Sequence, residues 1–206
     1  MDFEFFTLAL VIITAALSIW AFSDGNIIDK LLLYPKLMKS PSEYYRLLTN
    51  GFVHADWQHL IFNMVTLLFI GNYVEQFYQA IGAHTLYLVL YVAGIIVSSI
   101  PSFIKHRNDY SYRSLGASGG TSAVLFSMVY ISPWTKITVL VFPMWSIVFA
   151  VLYVVYSVYS ARQRRDNINH DAHLWGAVFG FIFTFLFDPT HGQLFIQQIL
   201  NPPFLH

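Results

Sequence analysis

Cysteine is absent from the chain, which excludes disulfide staples and thiolate metal sites and leaves the redox compartment unmarked. Charge is scarce too: 11 Lys and Arg balance 11 Asp and Glu, together 11% of the residues, for a formal net charge of zero. There is no basic field to recruit nucleic acid, and no run of like charge to mark a solvated tail. The first residues, Met1-Asp2-Phe3-Glu4, are acidic, and no small-residue cleavage site follows the first apolar segment. No cleavable signal is therefore expected. Repeats and low-complexity stretches are also missing. The chain is instead rich in apolar side chains, with 56% of its 206 residues hydrophobic and 18% aromatic. That composition predicts one multi-pass integral membrane domain whose first partner is the lipid bilayer.

A helix needs about 20 apolar residues to cross the hydrocarbon core. Six segments qualify or nearly do, at about 5–22, 57–78, 84–104, 115–131, 137–159 and 172–187. The expected fold is therefore all-α, a six-helix transmembrane bundle. The connection from Ser23 to Asp56 is too apolar for a fully solvated loop and is expected to lie partly in the interface, or else outside the membrane with a short helix. The tail beyond Asp188, with Pro202-Pro203, reads as interfacial or frayed.

Six antiparallel crossings bring the second, fourth and sixth helices into the bilayer from one face. His59 and Asn63, Ser118, and His173 fall within the first two turns of those three helices. At about 1.5 Å rise per residue, all four lie within roughly 10 Å of one surface. Polar side chains at that depth are costly and face the bundle interior or a wet cavity, which makes them functional candidates.

Each candidate also has a plainer reading. Gly116-x-Ser118-x-Gly120 fits the nucleophile pattern G-x-S-x-G, but no strand precedes it as in the soluble hydrolases. The small residues around Ser118, Gly116 and Gly119 among them, also serve close helix packing. The two roles are compatible, because a helix start offers open N–H groups and the positive end of the helix dipole. Gly176 and Gly180 form a small-xxx-small face one turn below His173, which predicts close approach to the fourth helix and aims the imidazole at Ser118. Asp171 is only two residues from His173 and is not placed to orient it, so the pattern is a Ser-His dyad without a third member. His59 and Asn63, four apart, project from one helix side and suit an oxyanion. A metal at His54 and His59 is the rival reading, but the general-base Glu and a third ligand are missing; no metal or cofactor is expected. His54 is open to a structural or a functional role.

Over nearly its whole length the chain resembles the rhomboid intramembrane serine proteases. Glu43 and Arg46 look like that family's loop Arg motif, with Tyr45 where a Trp is usual. His54, His59 and Asn63 match its second-helix pattern, and Glu75 falls where its far end commonly carries a Glu. Gly116-Ala117-Ser118-Gly119 matches G-x-S-G, and Ala172-His173 with Gly176 and Gly180 matches the sixth-helix motif. The resemblance implies Ser118 as nucleophile, His173 as base, and an oxyanion site from His59, Asn63 and the Ser118 backbone N–H. His54, Gly116, Gly119 and Arg46 would support that site, and the substrates would be transmembrane helices of other membrane proteins. Ser122 departs from the pattern, standing where many members carry a Tyr whose ring supports the histidine; Trp175 is the replacement considered.

The resemblance also implies a plasma-membrane protein with a cytoplasmic N-terminus and a site opening outward. The distribution of Lys and Arg argues the reverse, because Lys136 alone would then be cytoplasmic while the other ten lie opposite. Two further readings stay open. One is a non-catalytic binding or quality-control member of the same fold, although neither Ser nor His is missing. The other is a channel or transporter, which would need broken helices or paired midplane charges.

Overall fold

The structure, a computed structural model, describes residues 3–139, 142–163 and 169–204. Ten α-helices occur among them: α1 (Phe5–Ser23), α2 (Gly25–Leu31), α3 (Arg46–Thr49), α4 (Trp57–Thr66), α5 (Asn72–Ala80), α6 (His84–His106), α7 (Ser118–Ile131), α8 (Ser146–Gln163), α9 (His170–Phe187) and α10 (His191–Leu200). Helices α4 and α5 form one continuous rod, Trp57–Ala80, joined through a π-helical turn at Leu67–Gly71. Four rods are long and apolar enough to cross a bilayer: α1, α4 with α5, α6 and α9. The apolar helices α7 and α8 are shorter in their apolar length.

Helix α7 is the axis of the bundle. Every residue from Gly119 to Ile131 is buried, so the helix has no lipid-facing stripe. Its 14 residues give a length of about 21 Å, against a hydrocarbon core of about 30 Å. A helix this short is tolerated because protein surrounds it and can satisfy its ends.

Helices α7 and α9 lie parallel and almost backbone to backbone. A Cβ added at Gly176 would press into the Gly119 backbone, and one at Gly180 would press into the Ala123 backbone. One turn on, the Thr184 hydroxyl donates to Ser127 Oγ at 2.7 Å. The three pairs share a single offset of 57 residues. The small-xxx-small face read from the sequence thus fixes the register of these two helices.

Two expectations need correction. The fifth membrane segment was expected to begin near Ile137, yet Lys136–Val139 and Phe142–Trp145 (β1 and β2) form an antiparallel hairpin, and α8 starts at Ser146. Pro143 has no N–H for a helix ladder, and the β-branched Ile137-Thr138-Val139 run favours a strand. Ser146 closes the hairpin, with its hydroxyl against the Ser132 and Pro133 carbonyls at 2.9 and 2.8 Å. The tail is also more ordered than expected. Helix α10 docks on the end of α7, where Phe195 stacks on Tyr130 and His191 Nε2 lies 2.9 Å from the Ile131 carbonyl oxygen. Residues 164–168, in the connection between the fifth and sixth expected segments, lie outside the described residues.

The connection from Ser23 to Asp56 folds as a string of short helical turns. It is tied to the segment ahead of Ser118 by a two-bond bridge between Leu33 and Ser114, at 2.9 and 3.0 Å. Glu75, at the opposite end of the bundle, is fully buried. Its carboxylate accepts from the N–H groups of Phe6 and Thr7 and lies 2.6 Å from His84 Nε2. This network caps the open start of α1, whose first N–H groups have no helical acceptor.

Candidate active site

Ser118 is the first residue of α7 and is partly exposed, whereas Ala117 and Gly119 on either side are buried. The first intrahelical bond of α7 runs from Thr121 N–H to the Ala117 carbonyl, at 2.9 Å. The N–H groups of Ser118, Gly119 and Gly120 therefore form the open, positive end of the helix. Gly116 has φ +124°, a conformation that L side chains rarely adopt. Its N–H donates to the Asn50 carbonyl at 2.9 Å, and a Cβ there would collide with the His59 ring. Glycine is thus required at 116 both for the turn and for the approach of His59.

His173, also partly exposed, lies on the fourth residue of α9. The 57-residue offset between α7 and α9 sets it level with Gly116, two residues from Ser118. Two hydrogen-bonded junctions hold this end of α9. Asn169 caps the helix, its Oδ1 accepting from Ala172 N–H at 3.0 Å and from Ser102 Oγ at 3.2 Å, while its Nδ2 donates to Ser114 Oγ at 3.0 Å. Asp171 pairs with Lys105 at 2.5 Å and so is turned to α6. Sequence reasoning missed Asn169. A cap three residues ahead of a helical N–H is legible in the chain, but its bonds to Ser102 and Ser114 are not.

His59 and Asn63 reach the same place from α4. The His59 backbone N–H donates to the capping carboxylate of Asp56 at 2.8 Å. Asn63 is buried, donates through Nδ2 to the His59 carbonyl at 2.9 Å, and has Oδ1 3.2 Å from the Thr121 hydroxyl. One hydroxyl thus links Asn63 to the first turn of α7. Trp175, considered as a support for His173, is 46% exposed and faces away. The ring stacked along His173 belongs to Tyr153 of α8, with centroids 5.7 Å apart and planes at 21°, while the His170 ring meets His173 edge-on at 5.7 Å.

His54 is completely buried. Its Nε2 accepts from Ala117 N–H at 3.2 Å, so Nδ1 carries the hydrogen and donates to Ser18 Oγ at 2.9 Å. Both ring nitrogens are used in tying α1 to the turn ahead of Ser118. Burial, helped by the neighbouring His59 ring and opposed by Asp56, holds its pKa down at about 3. The folded protein keeps His54 neutral, while the unfolded chain takes up a proton below the ordinary 6.5. The associated stability is fully present above that pH and is lost as pH falls toward 3, at up to about 1.4 kcal/mol per pH unit. Thermal unfolding in detergent between pH 7 and 4 is expected to show this slope in the wild type and a flatter one in His54→Gln. Parallel slopes would refute the assignment.

Arg46 is buried at the far side of this scaffold. It pairs with Glu43 at 2.8 Å and donates to the carbonyls of Asp29 and Leu32 at 2.7 and 3.1 Å. Leu32 precedes the bridge from Leu33 to Ser114, so Arg46 braces the strand-like segment that leads to Gly116.

The fold is a helical membrane bundle built around a buried short helix, with serine, two histidines and asparagine converging on the start of that helix. These features define a polytopic membrane protein with a polar site at helix-end depth. The chain belongs to the rhomboid family: the family's Rhomboid domain description matches residues 41–189, well over half of its length. RHOMBOID-like protein 4 of Arabidopsis thaliana is 29% identical over 154 residues, covering 74% of this chain and 36% of that protein. RHOMBOID-like protein 12, mitochondrial, from the same plant is 26% identical over 149 residues, 65% of this chain and 43% of that protein. The rhomboid protease GluP of Bacillus subtilis is 34% identical over 90 residues, 44% of this chain and 16% of that protein. The chain thus spans less than half the length of each of these relatives.

Proposed function

We propose that this protein is an intramembrane serine endopeptidase that cuts transmembrane helices of other membrane proteins. The observation that supports the reading is the α7–α9 register, which sets His173 level with Gly116, two residues before Ser118, while His59 packs against Gly116 and Asn63 bonds to Thr121 from α4. In this reading Ser118 Oγ attacks the scissile carbonyl as His173 takes its proton. The negative charge on the tetrahedral oxygen is met by the Ser118 N–H, by His59 and by the second N–H of Asn63, whose first is held by the His59 carbonyl. His173 then passes the proton to the leaving amine, and water taken through the same imidazole releases the acyl group.

The partial exposure of Ser118, His59 and His173 supports access for water and substrate. Membership of the family, which includes a relative named as a protease, supports the same chemistry. The test is cleavage of a single-span reporter with a Gly- or Pro-interrupted helix by the purified protein in liposomes. The wild type is expected to cut within the span. Asn63→Ala is expected to lower kcat by about 100- to 1000-fold, the usual effect of removing one oxyanion donor. Binding of the reporter without any cut would replace the protease with the non-catalytic binding reading.

A further inference from the structure

His173 has to keep one ring orientation while it accepts a proton, and Asp171 is committed to Lys105. What lies along the imidazole is the ring of Tyr153, carried by α8. The two planes are inclined by only 21°, with centroids 5.7 Å apart. The Tyr153 ring is itself fixed from three sides. Its hydroxyl is hydrogen-bonded to Ser122 Oγ, and the ring packs at a tilt against Phe149 and Phe126, with centroids 5.7 and 5.9 Å away.

Ser122 is buried, one turn after Ser118 on the same helix. A hydroxyl buried there costs free energy unless it finds a partner, and the Tyr153 hydroxyl has the same need. Each satisfies the other. The bond joins the helix that carries the nucleophile to the helix that carries the ring, and the ring lies along the imidazole. A chain of contacts therefore runs from Ser118 through α7 to Ser122, across to Tyr153, and onto His173.

We propose that Tyr153, anchored by Ser122, is the positioning residue for the base, holding the His173 ring in line with Ser118. The inference rests on the Ser118–His173 reading above. A flat aromatic face restricts rotation of the imidazole and also favours the cation formed when the proton is taken. Tyr153 touches no reacting atom; it acts through His173. Displacement of a catalytic group by about 1 Å can cost about a hundredfold in rate, which sets the scale of the expected effect.

The experiment combines kinetics with NMR on histidine-labelled protein in detergent. Tyr153→Leu is expected to lower kcat by about 10- to 100-fold with little change in KM, and to remove the ring-current shift on the His173 ring protons. Tyr153→Phe keeps the stack and loses the bond to Ser122, so a smaller fall in kcat is expected. Ser122→Ala combined with Tyr153→Phe should cost no more than Tyr153→Phe alone, because the two hydroxyls act as one bond. Thermal unfolding of each variant separates lost positioning from lost folding. Full kcat in Tyr153→Leu, or an unchanged His173 ring shift, would overturn the inference while leaving the dyad intact. A wild type that never cleaves but shows the ring shift, lost in Tyr153→Leu, would overturn the protease reading and retain the stacking contact.

Discussion

Ser118→Ala and His173→Ala are each expected to reduce reporter cleavage by about a millionfold, to the level of background, and the double variant is expected to be no worse than either. The reason is cooperative. A serine hydroxyl is a weak nucleophile without a base to take its proton, and a base without a nucleophile has no proton to take. Removing one member leaves only binding and the oxyanion donors. Covalent labelling with a fluorophosphonate should follow the same pattern, because that reagent needs the activated hydroxyl and no transmembrane substrate. Labelling that survives in His173→Ala at the wild-type rate would mean that another group activates Ser118. Folding is not expected to confound the result. Both side chains are partly exposed, and truncation at such positions creates no sealed cavity.

The parts of the site that were legible in the sequence are those that obey a helical rule. His59 with Asn63, Ser118, and His173 were placed at one depth because each sits at the start of a helix and alternate helices enter from one face. Gly176 and Gly180 announced the α7–α9 contact because four-residue spacing repeats one helix face. Arg46 was legible only as a motif. Its contacts with Asp29 and Leu32 depend on the path of an irregular segment, for which no periodicity exists. The start of α8 was misplaced because apolar residues continue through Ile137 and Phe142 without a break in hydropathy, and only Pro143 hinted at the hairpin.

Tyr153 illustrates a second limit. It is one of 13 tyrosines, and nothing in its immediate neighbours distinguishes it from Tyr156 or Tyr159. What singles it out is the meeting of α8 with Ser122 and His173, set by tertiary packing alone. The departure was nevertheless visible: Ser122 stands where the resemblance places a ring-bearing Tyr. Sequence reasoning looked for the substitute on α9, next to the histidine, and proposed Trp175. The structure supplies it from the helix across. Residues adjacent in sequence on a helix point about 100° apart, so Trp175 cannot share the face of His173 two positions away, whereas a side chain on a neighbouring helix can lie flat against it.

Gly180→Val is expected to be the most damaging substitution outside the polar site. In the native packing a bare Cβ at 180 would already lie 2.5 Å from the Ala123 Cα and carbonyl carbon, and backbone atoms of a buried helix cannot turn aside as a flexible side chain can. Accommodating valine requires α9 to move away from α7, breaking the Thr184–Ser127 hydrogen bond one turn below and loosening the Gly176–Gly119 contact one turn above. Overpacking of this kind costs about 1–3 kcal/mol, expected as a marked fall in the thermal unfolding midpoint in detergent. The variant protein that remains folded should also cleave poorly, because a helix shifted by about 1 Å carries His173 away from Ser118. Gly25→Ala is the matched control: a Cβ there meets nothing within 4 Å, and in a helical position alanine is expected to be neutral or to add about 0.5 kcal/mol. A Gly180→Val protein that melts and cleaves like the wild type would disprove the register from which the whole site is built. A protein that melts early but labels normally with fluorophosphonate while still folded would place the Ser118–His173 geometry under the control of Asn169 and Tyr153, and leave the glycine contact with folding alone.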